Sequence, residues 1–134
     1  MGPLSGTAIL VADNDADSLD VLAYVISEQG AAVRTATNAR EVLEVLRTWR
    51  PDIMLLDIAM PEMDGYDLLT AIRQEPSLHA IPAVAVTGHT YASDKQRAED
   101  VGFARHIAKP VDIDTLLQII TELVPEVVRQ TATD

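Results

Sequence analysis

Apolar residues arrive along this chain in two alternating patterns. One is a short, nearly unbroken run; the other is a longer stretch with an apolar residue at every third or fourth place. The runs predict strands at Thr7–Ala12, Ala32–Thr35, Ile53–Leu56, Ala83–Thr87 and Arg105–Ala108. The first, third and fourth are almost wholly apolar, as strands covered on both faces are. Between them, Leu19, Leu22, Ala23 and Ile26 fall on one side of a helix, as do Ala39, Val42, Leu43 and Leu46. The clearest stripe is the last, formed by Ile113, Leu116, Leu117, Ile120 and Val124. Asp15 or Asp17 suits the N-cap of the first helix, and Asn38 that of the second. Gly30 and Gly102 stand where helices end, and Pro51 and Pro82 stop the segments before two strands. The fourth helix, near Ala92–Val101, offers the core only Ala98 and Val101 and is expected to have low local stability.

Strand and helix alternating through short loops demand a parallel sheet with right-handed crossovers. Four of the runs halt at Asp13, Asp57, Thr87 and Lys109. In a parallel sheet those side chains emerge at one edge, where open α/β folds place their ligand site. Two carboxylates, a hydroxyl and an ammonium at one edge point to a divalent cation and a phosphoryl group.

The length of 134 residues fits one domain, and 48% hydrophobic residues suffice for its core. A net charge of −11 argues against nucleic acid as a direct partner and against an anionic membrane surface. The absence of cysteine excludes disulfides, iron–sulfur clusters and thiolate zinc sites. No apolar stretch approaches the roughly 20 residues of a membrane-spanning helix, and MGPLSGT lacks the pattern of a signal peptide. These features lead us to expect a cytoplasmic chain with a flexible leader over residues 1–6, a domain over 7–125, and the end of the last helix with a frayed tail over 126–134.

Taken singly, each polar residue has an ordinary alternative. Asp57 is suited to be a metal ligand, a nucleophile or a turn cap. Two carboxylates about 4 Å apart repel by about 4 kcal/mol at an effective dielectric of about 20, so Asp13 beside Asp15 favours a hard cation such as Mg²⁺. Asp15 is also the natural N-cap of the following helix. Thr87-Gly88 fits an anionic oxygen or a plain strand-to-loop transition. Lys109 is either exposed or paired with an acid, Asp57 being the natural partner. The Lys109-Pro110 bond has the option of a cis turn.

In this order and spacing, the segments ILVADND, PDIMLLDIAMPEMDGYDLL, IPAVAVTG and GFARHIAKPVD resemble the receiver domain of two-component response regulators, from about Thr7 to Val124. The GFARHIAKP segment is similar to receivers fused to hybrid histidine kinases. The resemblance implies a flavodoxin-like (βα)5 α/β fold with a five-stranded parallel sheet in order 2-1-3-4-5. It implies a signalling module rather than an enzyme, partnered by a histidine kinase or histidine phosphotransfer domain, as a monomer or weak dimer. It makes Asp57 the phosphoacceptor. Asp13, Asp57 and the carbonyl of Ala59 become ligands of Mg²⁺ or Mn²⁺, with Asn14 a weak or indirect one. Thr87 would bind a phosphoryl oxygen, and Lys109 would pair first with Asp57 and then with the phosphoryl group.

The chain departs from the family pattern at several places. Asn14 replaces the usual second acid, which predicts weaker Mg²⁺ affinity unless Asp15 compensates. His106 occupies the usual aromatic position on the fifth strand and, with Thr87, is the candidate switch residue. Ala59 cannot orient a hydrolytic water, so slow autodephosphorylation is expected unless His89 or a partner supplies that function. Asn14 keeps open a second reading, an interaction module that is never phosphorylated. A third is a haloacid dehalogenase-type phosphatase, in which Asp13 attacks and Asp15 is the acid.

Overall fold

The computed structural model describes residues 2–88 and 92–124, with side chains from Lys95 onward in the second stretch. The chain order is β1 (Ala8–Ala12), α1 (Ala16–Glu28), β2 (Ala32–Ala36), α2 (Ala39–Thr48), β3 (Ile53–Asp57) and α3 (Gly65–Arg73). A 3-10 turn (Pro76–Leu78) then precedes β4 (Ala83–Thr87), α4 (Ala92–Val101), β5 (Arg105–Ala108) and α5 (Ile113–Leu123). All strand pairs are parallel and the sheet runs β2-β1-β3-β4-β5. This is the expected flavodoxin-like (βα)5 arrangement.

Alternation along the strands divides the core in two. Ile53 and Leu55 of β3 join Ile9 and Val11 of β1 against Leu19, Leu22 and Ile26 of α1 and Leu116 and Ile120 of α5. Met54 and Leu56 point the other way, with Leu10, into a core shared with Val42 of α2, Leu68 of α3 and Ala98 of α4. The central strands β3 and β4 are buried along their whole length, whereas β2 leaves Ala32, Arg34 and Thr35 exposed at one edge. Fully burying each such aliphatic side chain contributes about 1.5–3 kcal/mol, so the two apolar layers fix the strand order and with it the shared edge.

Local signals fix the helix ends. Asp15, Asn38, Asp64 and Asp112 cap α1, α2, α3 and α5 by accepting backbone N–H bonds. Gly30 and Gly102, at φ +101° and +113°, take up the left-handed conformation after α1 and α4. In α4, Ala98 is buried and Val101 half-buried, the two contacts its composition predicts.

One expectation is corrected. Residues 2–6 are not a flexible leader. Leu4 is fully buried in the α1–α5 layer, its N–H donates to the carbonyl of Gln29, and its carbonyl accepts from Thr7 N–H. A Cβ at Gly2 would lie 2.1 Å from the Gln29 carbonyl oxygen, so the segment lies directly on the end of α1. The apolar Leu4 within MGPLSGT is the physical reason. The expected tail over 126–134, and His89, lie outside the described residues.

Candidate functional site

The carboxyl ends of four strands converge as a parallel sheet requires. Asp13 follows β1 and is held there by its N–H, which donates to the Ala36 carbonyl of β2. Asp57 is the last residue of β3 and Thr87 the last of β4. Lys109 follows β5 and donates its N–H to the Thr87 carbonyl at 2.8 Å. Asp13, Asp57 and Thr87 are 4%, 1% and 6% exposed, and with Thr7 they make up the buried polar residues among those described. The Lys109–Pro110 bond is cis.

The Lys109 ammonium lies 3.1 Å from Asp57 Oδ2 and also 3.1 Å from Asp13 Oδ2. The remaining oxygens are fixed by backbone. Asp13 Oδ1 accepts from Asp15 N–H at 2.9 Å, and Asp57 Oδ1 accepts from Ala59 N–H at 3.1 Å. Each carboxylate therefore has one oxygen anchored and one aimed at a common cation position. Burial pushes the Asp57 pKa up, and the nearby Asp13 charge adds to this. The hydrogen bonds from Lys109 and Ala59 only partly oppose it. Burial works against the Lys109 ammonium as well, but its hydrogen bonds to Asp13 and Asp57 prevail and raise its pKa. The two directions agree physically: Lys109 has two carboxylate partners, whereas buried Asp57 shares its one ammonium with Asp13.

That imbalance tests whether a divalent ion suits the site. The donor set is hard oxygen, the two Oδ2 atoms converge on the Lys109 ammonium, and two carboxylates paired with one ammonium keep a residual negative charge. It suits Mg²⁺ or Mn²⁺. Asn14 and Ala59, next in the chain to Asp13 and two residues after Asp57, are exposed. Asp15, the neighbouring acid, is engaged as a cap. Its carboxylate accepts from the Ser18 hydroxyl at 2.9 Å and from Asp17 N–H at 3.2 Å, bonds that lower its pKa and commit it to capping α1. His106 lies apart on β5, opposite Ala85, and lines a cavity of about 260 Å³ with Lys95 and Phe103.

One feature of the site escaped sequence reasoning, the second bond of Lys109, to Asp13. Gly65 shows the close packing at the start of the third helix that its place in the sequence suggests: a Cβ there would lie 2.7 Å from the Asp57 carbonyl oxygen and 2.9 Å from Ile58 Cα. Gly65 N–H donates to the Ile58 carbonyl at 2.9 Å, closing the loop that carries Ala59.

Comparison with known proteins agrees with this geometry. The family model described as "Response regulator receiver domain" matches residues 9–121. An uncharacterized 14.6 kDa protein of Leptolyngbya boryana is 37% identical over 122 residues, covering 91% of this chain and 93% of that protein. Sensor histidine kinase RcsC of Escherichia coli is 36% identical over 113 residues, which are 84% of this chain but 12% of the kinase. The chain likewise spans 26% of a probable cyclic di-GMP phosphodiesterase of Vibrio cholerae, at 32% identity. Among solved structures, the chemotaxis response regulator CheY4 of Vibrio cholerae superposes with a TM-score of 0.82 at 26% identity, covering 87% of this chain and 98% of that one.

Proposed function

This chain belongs to the response regulator receiver family, and from that premise we propose that it accepts a phosphoryl group on Asp57 from a partner's phosphohistidine. The observation that carries the reading is the buried Asp57 carboxylate, with Oδ2 at 3.1 Å from a lysine that also holds Asp13. In the transfer, an Asp57 carboxylate oxygen forms a bond to phosphorus as the phosphorus–nitrogen bond to the donor imidazole breaks. The products are an aspartyl phosphate and a neutral histidine. Lys109 follows the charge from the carboxylate to the phosphoryl oxygens, and the Thr87 hydroxyl takes another of those oxygens. Asp13, Asp57 and the Ala59 carbonyl would hold Mg²⁺ or Mn²⁺, which when bound neutralises charge on the transferring group. Burial of Asp57 keeps bulk water from the acyl phosphate, and Ala59 brings no side chain able to position a water, which supports a long-lived product.

A partner carrying the phosphohistidine has a surface to meet beside the site. A cavity of about 530 Å³ between α1 and the loop after β5 has Val21, Leu22, Val111 and Ile113 in its wall and Asp13 and Lys109 at its end. Val21 and Tyr24, each 65% exposed, extend that apolar strip along α1. The kinase or phosphotransfer domain is read as docking an apolar helical ridge here.

Asn14 favours one further reading. With Asp15 engaged in capping, the cation position has two carboxylates rather than three, and an interaction module that is never phosphorylated remains the alternative. The phosphatase reading needs Asp15 as a free acid and is displaced by that cap and by the family. Incubation with acetyl phosphate and Mg²⁺, followed by borohydride reduction and peptide mass mapping, tests all three. Label on Asp57 that is lost in Asp57→Asn is expected. Absence of label at millimolar Mg²⁺ leaves the interaction module, and label on Asp13 indicates the phosphatase.

A further inference from the structure

The outer side of α1 joins an apolar strip to charge of a single sign. Asp17, Val21, Tyr24 and Glu28 follow one another at helical spacing along one exposed stripe, with Asp20 beside them. Val21 and Tyr24, each 65% exposed, therefore lie between carboxylates one turn before and one turn after them. Neither α1 nor α5 contains a lysine or an arginine. Asp17, Asp20 and Glu28 have no ion-pair partner among the described residues. Lys109, at the end of the adjoining cavity, is already committed to Asp13 and Asp57. The result is an apolar groove, walled by Val21, Leu22, Val111 and Ile113, whose α1 rim carries uncompensated negative charge.

That rim decides between occupants. A second copy docked across a two-fold axis would set the acidic stripe against its own counterpart. An anionic lipid surface is repelled in the same way. A phosphohistidine donor meets the same field, because its phosphoryl group is negative and is brought to a chain of net charge −11. The repulsion is offset where the donor itself supplies cations. We propose that the donor's docking helix is basic: its apolar ridge enters the groove between α1 and the loop after β5, and lysines or arginines flanking that ridge meet Asp17, Asp20 and Glu28. The inference rests on the acceptor reading above and adds the chemistry of the partner. The ridge supplies adhesion. The charges supply encounter rate and selectivity, since a donor with the same ridge but acidic flanks is rejected by the rim.

The test uses the full chain and one donor in two versions. The donor is a histidine phosphotransfer domain charged with phosphoramidate, carrying either lysines or glutamates on the flanks of the apolar ridge beside its histidine. The readout is the rate of transfer to Asp57. The lysine version is expected to transfer at least about tenfold faster at low ionic strength, with the advantage shrinking as salt screens it. Asp20→Asn/Glu28→Gln is expected to slow transfer from the lysine version by up to about tenfold, the factor for two exposed ion pairs, and to leave labelling by acetyl phosphate unchanged. Glu44→Gln/Glu75→Gln removes the same charge from exposed positions on α2 and after α3, across the sheet from α1. It is expected to change the rate by less than about twofold. Equal rates from the two donor versions overturn the proposal, as does equal slowing by the two pairs of substitutions, which would reduce the effect to net charge. Self-association of the wild type that Val21→Glu abolishes gives the face to a second copy and also overturns it. A chain labelled at Asp57 by neither acetyl phosphate nor either donor refutes the acceptor reading itself, whereas intact acetyl phosphate labelling with no preference between donors refutes the basic helix alone.

Discussion

At the scale of single residues, this protein keeps unfavourable groups buried where chemistry needs them and one where it does not. Asp57 has a raised pKa because burial penalises its charged form, so folding disfavours the carboxylate relative to the unfolded chain. Its contribution to stability is present below the ordinary carboxylate value and is lost as pH rises through the raised one. Asp57→Asn leaves Lys109 paired with Asp13 and removes one of two adjacent negative charges. We expect it to stabilise the fold by about 1 kcal/mol at pH 7, with the gain shrinking toward pH 4; urea melts across that range check the sign. Thr7 is the contrasting case. It is fully buried at the opposite end of the sheet, and its hydroxyl has no hydrogen-bond partner among the described residues. Thr7→Val keeps the shape and removes the unsatisfied group, so it should raise stability by about 1 kcal/mol. An unchanged thermal midpoint would mean that a buried water satisfies the hydroxyl.

At the scale of elements, packing explains what periodicity left open. The N-terminal segment is part of the fold because Leu4 fills the end of the α1–α5 layer. Leu4→Ala should therefore cost about 3 kcal/mol, seen as a lower urea midpoint at unchanged slope. A loss within error would return residues 2–6 to the role of a leader. α1 has the opposite character on its outer side, where Val21 and Tyr24 are exposed with no core role. If that strip receives the phosphohistidine partner, Val21→Glu slows transfer from the partner by about tenfold while labelling by acetyl phosphate is unchanged. Equal slowing with both donors would locate the effect in the site instead.

For the molecule as a whole, charge is the dominant global property. A net −11 on 134 residues makes the compact state repel itself. Raising ionic strength from about 10 mM to about 150 mM shortens the screening length from about 30 Å to about 8 Å. The thermal midpoint should rise by several degrees over that range in a salt that is not preferentially bound. A flat response would mean that the acids are already compensated locally, as Asp15 and Asp112 are by their caps.

The sequence by itself determined the strand–helix alternation, the caps at Asp15 and Asn38, the glycine ends of α1 and α4, and the weak apolar face of α4. Each of these depends on residues close together in the chain, where periodicity and capping chemistry act. It also placed Asp13, Asp57, Thr87 and Lys109 at strand ends, and parallel pairing then brings them to one edge. Only the tertiary structure decided that Lys109 bridges both carboxylates, that Leu4 belongs to the core, and that Arg97 of α4 rests on Tyr66 of α3. Those contacts join segments whose separation in space depends on how two apolar layers close around one sheet, and no local pattern of residues carries that distance.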